Sequence, residues 1–388
     1  MKASAFVYPW DVNGDPEAPG RIAGLGVRQA TLASAYHSTR TLTPRHPRHR
    51  VVTADHAAVL YPMDDGRWAG RVPRPYPAGD WAPGDAFGEA AAALTDAGLE
   101  VHTWVVLAHN SRMGAEHPAT SVVNAYGDRY PWAPCIAQPA TRAYVVDLAA
   151  EAAVRPGARG TELESLGWYG LQHLHAHDKT AGVALGDAGQ YLMSLCFCPD
   201  CSRGYEARGV EADALAAAVR AALEPLWRGT AADEGWAGVE KLLGEEYAAA
   251  TRAWRDDTAR TLQEDTVAAV RRAAPAGFQV LLHADPVTYH CGANAGVDPA
   301  HILSVADGVV VPCAGGPRLL APFAEQGREG AVLAANLQVV SGMGGSPGTL
   351  AADAARARDR GATELRLYHA GLASDDDLSA VREGLAAL

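Results

Sequence analysis

The chain reads as an α/β protein of the (β/α)8, or TIM-barrel, class, and three observations lead there. Short apolar runs suited to strands begin near residues 3, 28, 100, 162, 278, 307, 331 and 363, the strand count of such a barrel. After Gly277 these runs alternate with helical stretches of about 10–15 residues, the rhythm of parallel βαβ units. With 388 residues, 48% of them hydrophobic, the chain can fill a barrel and its ring of helices and still leave long loops.

Residues 2–8 make strand one, which ends at Pro9-Trp10, and residues 28–35 make strand two, with Tyr36 and His37 leaving its end. Residues 39–84 are proline-rich and carry a single strand-like piece at 57–61. They read as a loop insertion, because they lack the apolar content to fill a core of their own. Such an excursion is placed to line a site. An alanine-rich helix at 84–98 closes on a glycine. Strand three, 100–107, runs into His109 and Asn110. A helix at 139–154 leads to strand four, which carries Glu162 and Glu164.

Residues 168–201 form a Cys/His-rich loop, and 210–273 form a helical extension. In that extension Leu243, Tyr247, Ala250 and Trp254 recur at three- and four-residue steps, a core-packing face. Strands then fall at 278–283, 308–311, 331–337 and 364–368, separated by helices at 298–305, 317–326 and 349–360 and followed by one at 375–388. Residues 1–388 thus read as a single barrel domain with long insertions after strands two and four.

The net charge of −12 argues against nucleic-acid and anionic-membrane partners. The Arg/His segment 44–50 is short and broken by proline, so it reads as a solvated loop. The first residues lack the apolar length and cleavage pattern of a signal peptide. No apolar run approaches the roughly 20 residues needed to cross a bilayer. A cytoplasmic protein is therefore expected, its six cysteines reduced or metal-bound rather than paired. The oligomeric state is left open, self-association included.

In a barrel of this class the chemistry sits at the C-terminal strand ends. That rule selects Tyr8 and Trp10 (strand one), Tyr36 and His37 (two), His109 and Asn110 (three), and Glu164 and Trp168 (four). It adds His283 and Asp285 (five), Asn336 and Gln338 (seven), and Tyr368 and His369 (eight). Carboxylates, aromatic faces, amides and imidazoles at one mouth suit a small polyhydroxylated carbohydrate, with Trp10, Tyr36 and Trp168 as stacking platforms. Glu162 and Glu164 lie two residues apart and leave the same face of their strand. Glu164, at the strand end, is the first choice for acid/base or nucleophile. The competing reading makes one of the pair an interior carboxylate bound to an arginine. Asp285 is the second carboxylate, unless it only initiates an Asp-Pro turn.

Two clusters suggest metals. Cys196, Cys198 and Cys201 have the C-x-C-x2-C spacing at which three thiolates share one ion, with Cys135 the best-placed fourth ligand. Four sulfurs would leave no open position, so this zinc would be structural; buried thiols without metal are the alternative. His173, His175 and His177, with Asp178, could instead hold a catalytic divalent ion in a hydrolase or lyase, bind substrate, or simply pack a loop. No organic cofactor is expected. A barrel that binds sugar without turning it over is a third reading.

The order Cys135, Cys196, Cys198, Cys201 around the acidic strand four resembles the zinc-carrying barrels of the family 42 β-galactosidases. More broadly it resembles glycoside-hydrolase-like barrels with a Cys-Phe-Cys-Pro-x-Cys segment. The resemblance covers the barrel order and the residues around 135–201. It implies a glycosidase with structural zinc, and it places the family's acid/base glutamate on Glu164, although Leu163 stands where the family has asparagine. The family's nucleophile at the end of strand seven has no counterpart, since only Asn336 and Gln338 stand there. The second role is left to Asp285, a water or a substrate group. The family's trimerisation and β-sandwich domains are not expected in these residues.

Overall fold

A computed structural model describes residues 1–174, 178–232 and 235–388. Eight strands close a parallel barrel: β1 (Lys2–Val7), β2 (Gln29–Tyr36), β3 (Glu100–Val106), β4 (Ala158–Glu164), β5 (Gln279–Asp285), β6 (Gly308–Pro312), β7 (Val332–Gln338) and β8 (Glu364–Tyr368). Each pairs with its neighbours in chain order, and β1 pairs with both β2 and β8, so the ring has no free edge. Strands with one face inside the barrel and the other under helices should be buried along their length. β2, Gln-Ala-Thr-Leu-Ala-Ser-Ala-Tyr, is buried at all its positions.

The interior is layered. Leu281, Val310, Val332 and Ala334 plug the end where the strands begin. Above them lies a polar layer: Ser4 and Thr31 share a hydrogen bond of 2.7 Å, and Glu162 pairs with Arg366. Phe6, Tyr8, Tyr36 and Trp104 form an aromatic layer at the mouth, with Phe6 edge-on to Trp104 at 4.8 Å.

The excursion after β2 contributes to that upper layer. Thr39–Leu42 and Val51–Ala54 pair as a hairpin, and Ala58–Val59 adds antiparallel to the end of β2. Val52, Ala54, Leu60 and Ala82 pack with the mouth aromatics. The Arg/His segment is more structured than a solvated loop. Arg45 donates to the carbonyls of Gly371 and Ala373, and His46 is buried and stacked on His49.

Local chemistry shifts three expected boundaries. β1 stops at Val7 because Pro9 opens a helical turn, Pro9–Val12, and Asp11 accepts the Tyr8 N–H at 2.8 Å. The stretch 317–326 divides into a 3-10 turn, Pro317–Leu320, and a short helix, Ala321–Glu325; Pro322 supplies no N–H to continue the first into the second. The helical stretch 210–273 resolves into Ala212–Trp227, Gly235–Leu243 and Glu245–Ala273. Gly229 and Gly244, both at φ 87°, mark the breaks. Among the described residues no helix is long and apolar enough to cross a membrane.

Candidate active site

Period-two alternation along β4 turns Glu162 and Glu164 into the barrel, one in the polar layer and one at the mouth. Their surroundings differ. Glu162 Oε1 lies 2.6 Å from Arg366 Nε and accepts the Thr31 hydroxyl at 3.2 Å, and both members of the ion pair are fully buried. Arg366 also donates to Glu364 at 2.8 Å. Burial pushes the Glu162 carboxyl up, but Arg366 and His283 outweigh it and hold it at about 2. Glu162 is thus the interior carboxylate tied to an arginine.

Among the described residues no arginine pairs with Glu164. Its Oε2 accepts the Trp104 indole N–H at 2.7 Å, and the residue is 4% exposed. Burial raises its carboxyl above the ordinary value and the Glu162 charge adds to this, while His283 and the Trp104 N–H oppose. Two carboxyls on one strand face are therefore driven apart, one toward the charged form and one toward the protonated form. That separation marks acid and base assignments in enzyme sites. His283 stands between them, Nε2 3.7 Å from Glu162 and Nδ1 3.9 Å from Glu164.

Aromatic side chains ring Glu164. Tyr8 stacks on Trp10 at 4.7 Å and meets Tyr36 edge-on at 4.9 Å, and its hydroxyl lies 3.3 Å from His369 Nδ1. A register shift in β2 between Ala33 and Ala35 brings Tyr36 to the inner face. The row continues through His37, His109 and Tyr169, with His109 stacked on Tyr169 at 4.2 Å, to His173, which lies 5.7 Å from His109. Burial raises the Tyr8, Tyr36 and Tyr368 hydroxyls well above their ordinary value. It lowers His37 to about 4, His109 to about 2 and His369 to about 3. The lining is therefore one of neutral donors, acceptors and π faces around one carboxyl. Ser165 and His369, directly after β4 and β8, have φ of 58° and 62°, strained for side-chain-bearing residues.

The other expected residues are placed as follows. Asp285 is not among the charges acting on Glu164. Its Oδ1 accepts the Val287 N–H at 2.8 Å, the turn-starting role, while Oδ2 binds His290 Nδ1 at 3.0 Å. It borders a neighbouring cavity of about 370 Å³ with Gln172, His173, Asp187 and Asn294. Trp168 is corrected from sugar platform to packing residue: it lies in the main core rather than among the mouth aromatics, and its indole N–H donates to the Arg255 carbonyl. Asn110 is likewise engaged, its Oδ1 capping the helix Ser111–Glu116 through Met113 N and its Nδ2 donating to Tyr144. Asn336 occupies the Arg366 register on β7, with Oδ1 buried and, among the described residues, without a hydrogen-bond partner. Gln338 accepts the Val340 N–H. His173 meets the Tyr169 hydroxyl, and Asp178 accepts the Leu174 N–H. His175 and His177 lie outside the described residues. Trp104, Tyr169 and Arg366 escaped the strand-end rule. Trp104 and Arg366 belong to inward rows visible as alternation along their strands, whereas Tyr169 reaches the site from a loop.

The four cysteines converge. Cys135 follows the hairpin of Ser121–Val123 with Arg129–Pro134, and the other three lie around the start of the helix Pro199–Glu206. Cys135 Sγ is 3.6 Å from both Cys198 Sγ and Cys201 Sγ, and all four sulfurs lie within 4.8 Å of one another, buried. Four sulfurs at about 2.3 Å from one tetrahedral ion would stand about 3.8 Å apart. The backbone N–H groups of Val123 and Cys198 point at Cys196 Sγ from 3.4 and 3.5 Å. Among the described residues this is the one group of ligating side chains gathered closely enough for a metal.

No protein-family model and no curated protein matches the sequence. Solved structures do match in shape. The PgaB (BpsB) glycoside hydrolase domain from Bordetella bronchiseptica aligns with 99% of this chain and 99% of its own, at a TM-score of 0.56 and 16% identity. The chain shares its barrel fold with that glycoside hydrolase domain. α-L-Fucosidase isoenzyme 2 from Paenibacillus thiaminolyticus aligns with 99% of the chain at a TM-score of 0.58 and 11% identity, and the chain spans about half (48%) of that protein. The GH42 β-galactosidase Gan42B from G. stearothermophilus aligns with 100% of the chain and 56% of its own, at a TM-score of 0.54 and 10% identity. At these identities the likeness is one of fold.

Proposed function

We propose that the protein is a glycoside hydrolase acting on a small glycoside or oligosaccharide, with Glu164 as proton donor to the leaving oxygen. The observation that carries this reading is the protonation-favouring carboxyl of Glu164 at the mouth, set among neutral tyrosines and imidazoles. A general acid must hold its proton near the working pH. The lining suits an uncharged polyol: ring C–H faces can stack on Tyr8, Trp10 and Tyr36, and hydroxyls can bond Tyr368, His37, His109 and His369. Asn336, with its free carbonyl oxygen, is a further hydroxyl partner. His283 carries no step here; it spaces the two carboxylates.

Asp285 is the proposed second carboxylate, oriented by His290 at the edge of the adjoining cavity. The four cysteines are proposed to hold a structural zinc, tying the loop after β4 to the hairpin after β3. With all four ligands from protein, the ion would brace the fold and take no part in chemistry. A screen of aryl glycosides with wild type, Glu164→Gln and Asp285→Asn tests the assignment. Loss of turnover in both variants supports it; turnover unchanged in Glu164→Gln removes Glu164 from the reaction. Binding of sugar without turnover by wild type would favour the non-catalytic reading.

A further inference from the structure

Arg255, on the helix Glu245–Ala273, is 2% exposed, and a guanidinium stays charged in proteins. It donates to the Ser194 carbonyl at 3.3 Å and to Cys291 Sγ at 2.7 Å, between the rings of Trp168 and Tyr191. Its Nε has no partner, and among the described residues no carboxylate forms an ion pair with it. Asp256, next to it in sequence, is engaged by Arg252 at 3.6 Å and by Thr288. Buried charges are ordinarily paired. Among the described residues Cys291 is the one ionisable acceptor that Arg255 touches, and it is half-buried on the wall of the 370 Å³ cavity beside Asp285. The other ionisable groups on that wall are His290, bound to Asp285 at 3.0 Å and 3.9 Å from Asp187, together with His173, Tyr191 and Tyr289.

We propose that Cys291, held 2.7 Å from the buried Arg255 guanidinium on the cavity wall, is a reactive thiol and a covalent modification site for hydroperoxides and soft carbon electrophiles entering this cavity. With a hydroperoxide, the sulfur attacks the terminal oxygen. An S–O bond forms as the O–O bond breaks, and the departing alkoxide or hydroxide takes a proton from water. Sulfur is oxidised to the sulfenic acid and the peroxide is reduced. The site is also a joint. Gly292 N–H bonds the Trp168 carbonyl, Trp168 bonds the Arg255 carbonyl, and Ser194 Oγ accepts the Leu171 N–H. Modification would therefore break the Arg255–Cys291 contact where the loops after β4 and β5 meet the long helix.

The test is limited alkylation of the folded protein by iodoacetamide at pH 7, read by peptide mass spectrometry with glutathione as reference in the same solution. An ordinary thiol is a few per cent thiolate at that pH. With the Arg255 guanidinium 2.7 Å from its sulfur, Cys291 should label about tenfold faster than glutathione. Cys313, buried and without a cationic partner, should label more slowly than either. Arg255→Met should bring the Cys291 rate down to that of glutathione or below; should that variant fail to fold, the wild-type comparison decides alone. Cys291 labelling no faster than glutathione, in protein of unchanged circular dichroism, overturns the proposal.

Discussion

Replacing Arg366 by methionine isolates what fixes Glu162 inside the barrel. Both side chains are fully buried and meet at 2.6 Å, so the substitution leaves a carboxylate with only the Thr31 hydroxyl and the more distant His283. Removing one partner of a buried pair costs roughly 3–5 kcal/mol. For a chain of 388 residues the unfolding entropy is about 0.8 kcal/mol/K, which converts that loss into a fall in Tm of roughly 4–6 °C. The pH dependence gives the sharper signature. In the wild type Glu162 has a folded value of about 2, below its unfolded one, so its stabilisation is present at neutral pH and is lost as pH falls toward 2. In the variant, burial acts without the cation and the folded value lies above the unfolded one. The penalty is then present at neutral pH and relieved as the carboxyl protonates. The gap in Tm between the two proteins should therefore be widest near neutrality and narrow below about pH 4. Adding Glu162→Gln should recover most of the loss. Calorimetry across that pH range is the assay. A gap below about 1 °C, or one that does not change with pH, would refute the assignment of Glu162 as the structural member of the pair.

Three further outcomes follow. For the proposed zinc site, elemental analysis should find one equivalent of zinc in wild type and none in Cys198→Ser, whose Tm should be lower, because three sulfurs cannot complete a closed tetrahedron. Trp104→Phe removes a hydrogen bond that favours the charged form of Glu164, so the carboxyl should rise further and the alkaline limb of the activity profile should move to higher pH. Tyr368→Phe keeps the ring but deletes a hydroxyl proposed to bond the sugar; KM for a glycoside should rise several-fold, by about 1 kcal/mol for one lost hydrogen bond, with Tm nearly unchanged.

The barrel was legible because its signal is periodic. Strands alternating with helices after Gly277 leave few other folds, and each of the eight apolar runs became a barrel strand. The convergence of Cys135 with Cys196, Cys198 and Cys201 was legible because three of the four are locked by spacing. What escaped depends on through-space partners. Nothing in Glu-Leu-Glu says which glutamate an arginine about 200 residues later will take, and β8 settles it with Arg366. Trp168 and Asn110 have the residue types of a sugar site, but helix Glu245–Ala273 claims the first and a helix N-cap claims the second. The excursion at 39–84 looked too poor in apolar residues for a core. It instead adds a few buried side chains to a layer the barrel had begun.

The central claim is that Glu164 gives its proton to a departing glycosidic oxygen, and leaving-group dependence tests it most directly. Steady-state rates of wild type and Glu164→Gln should be compared on glycosides whose leaving groups span poor alkoxides to activated phenols. The account predicts a loss of about 10²–10⁴-fold on the poor leaving groups that shrinks steadily toward the activated ones. An equal rate for the two proteins on the poorest leaving group would contradict it.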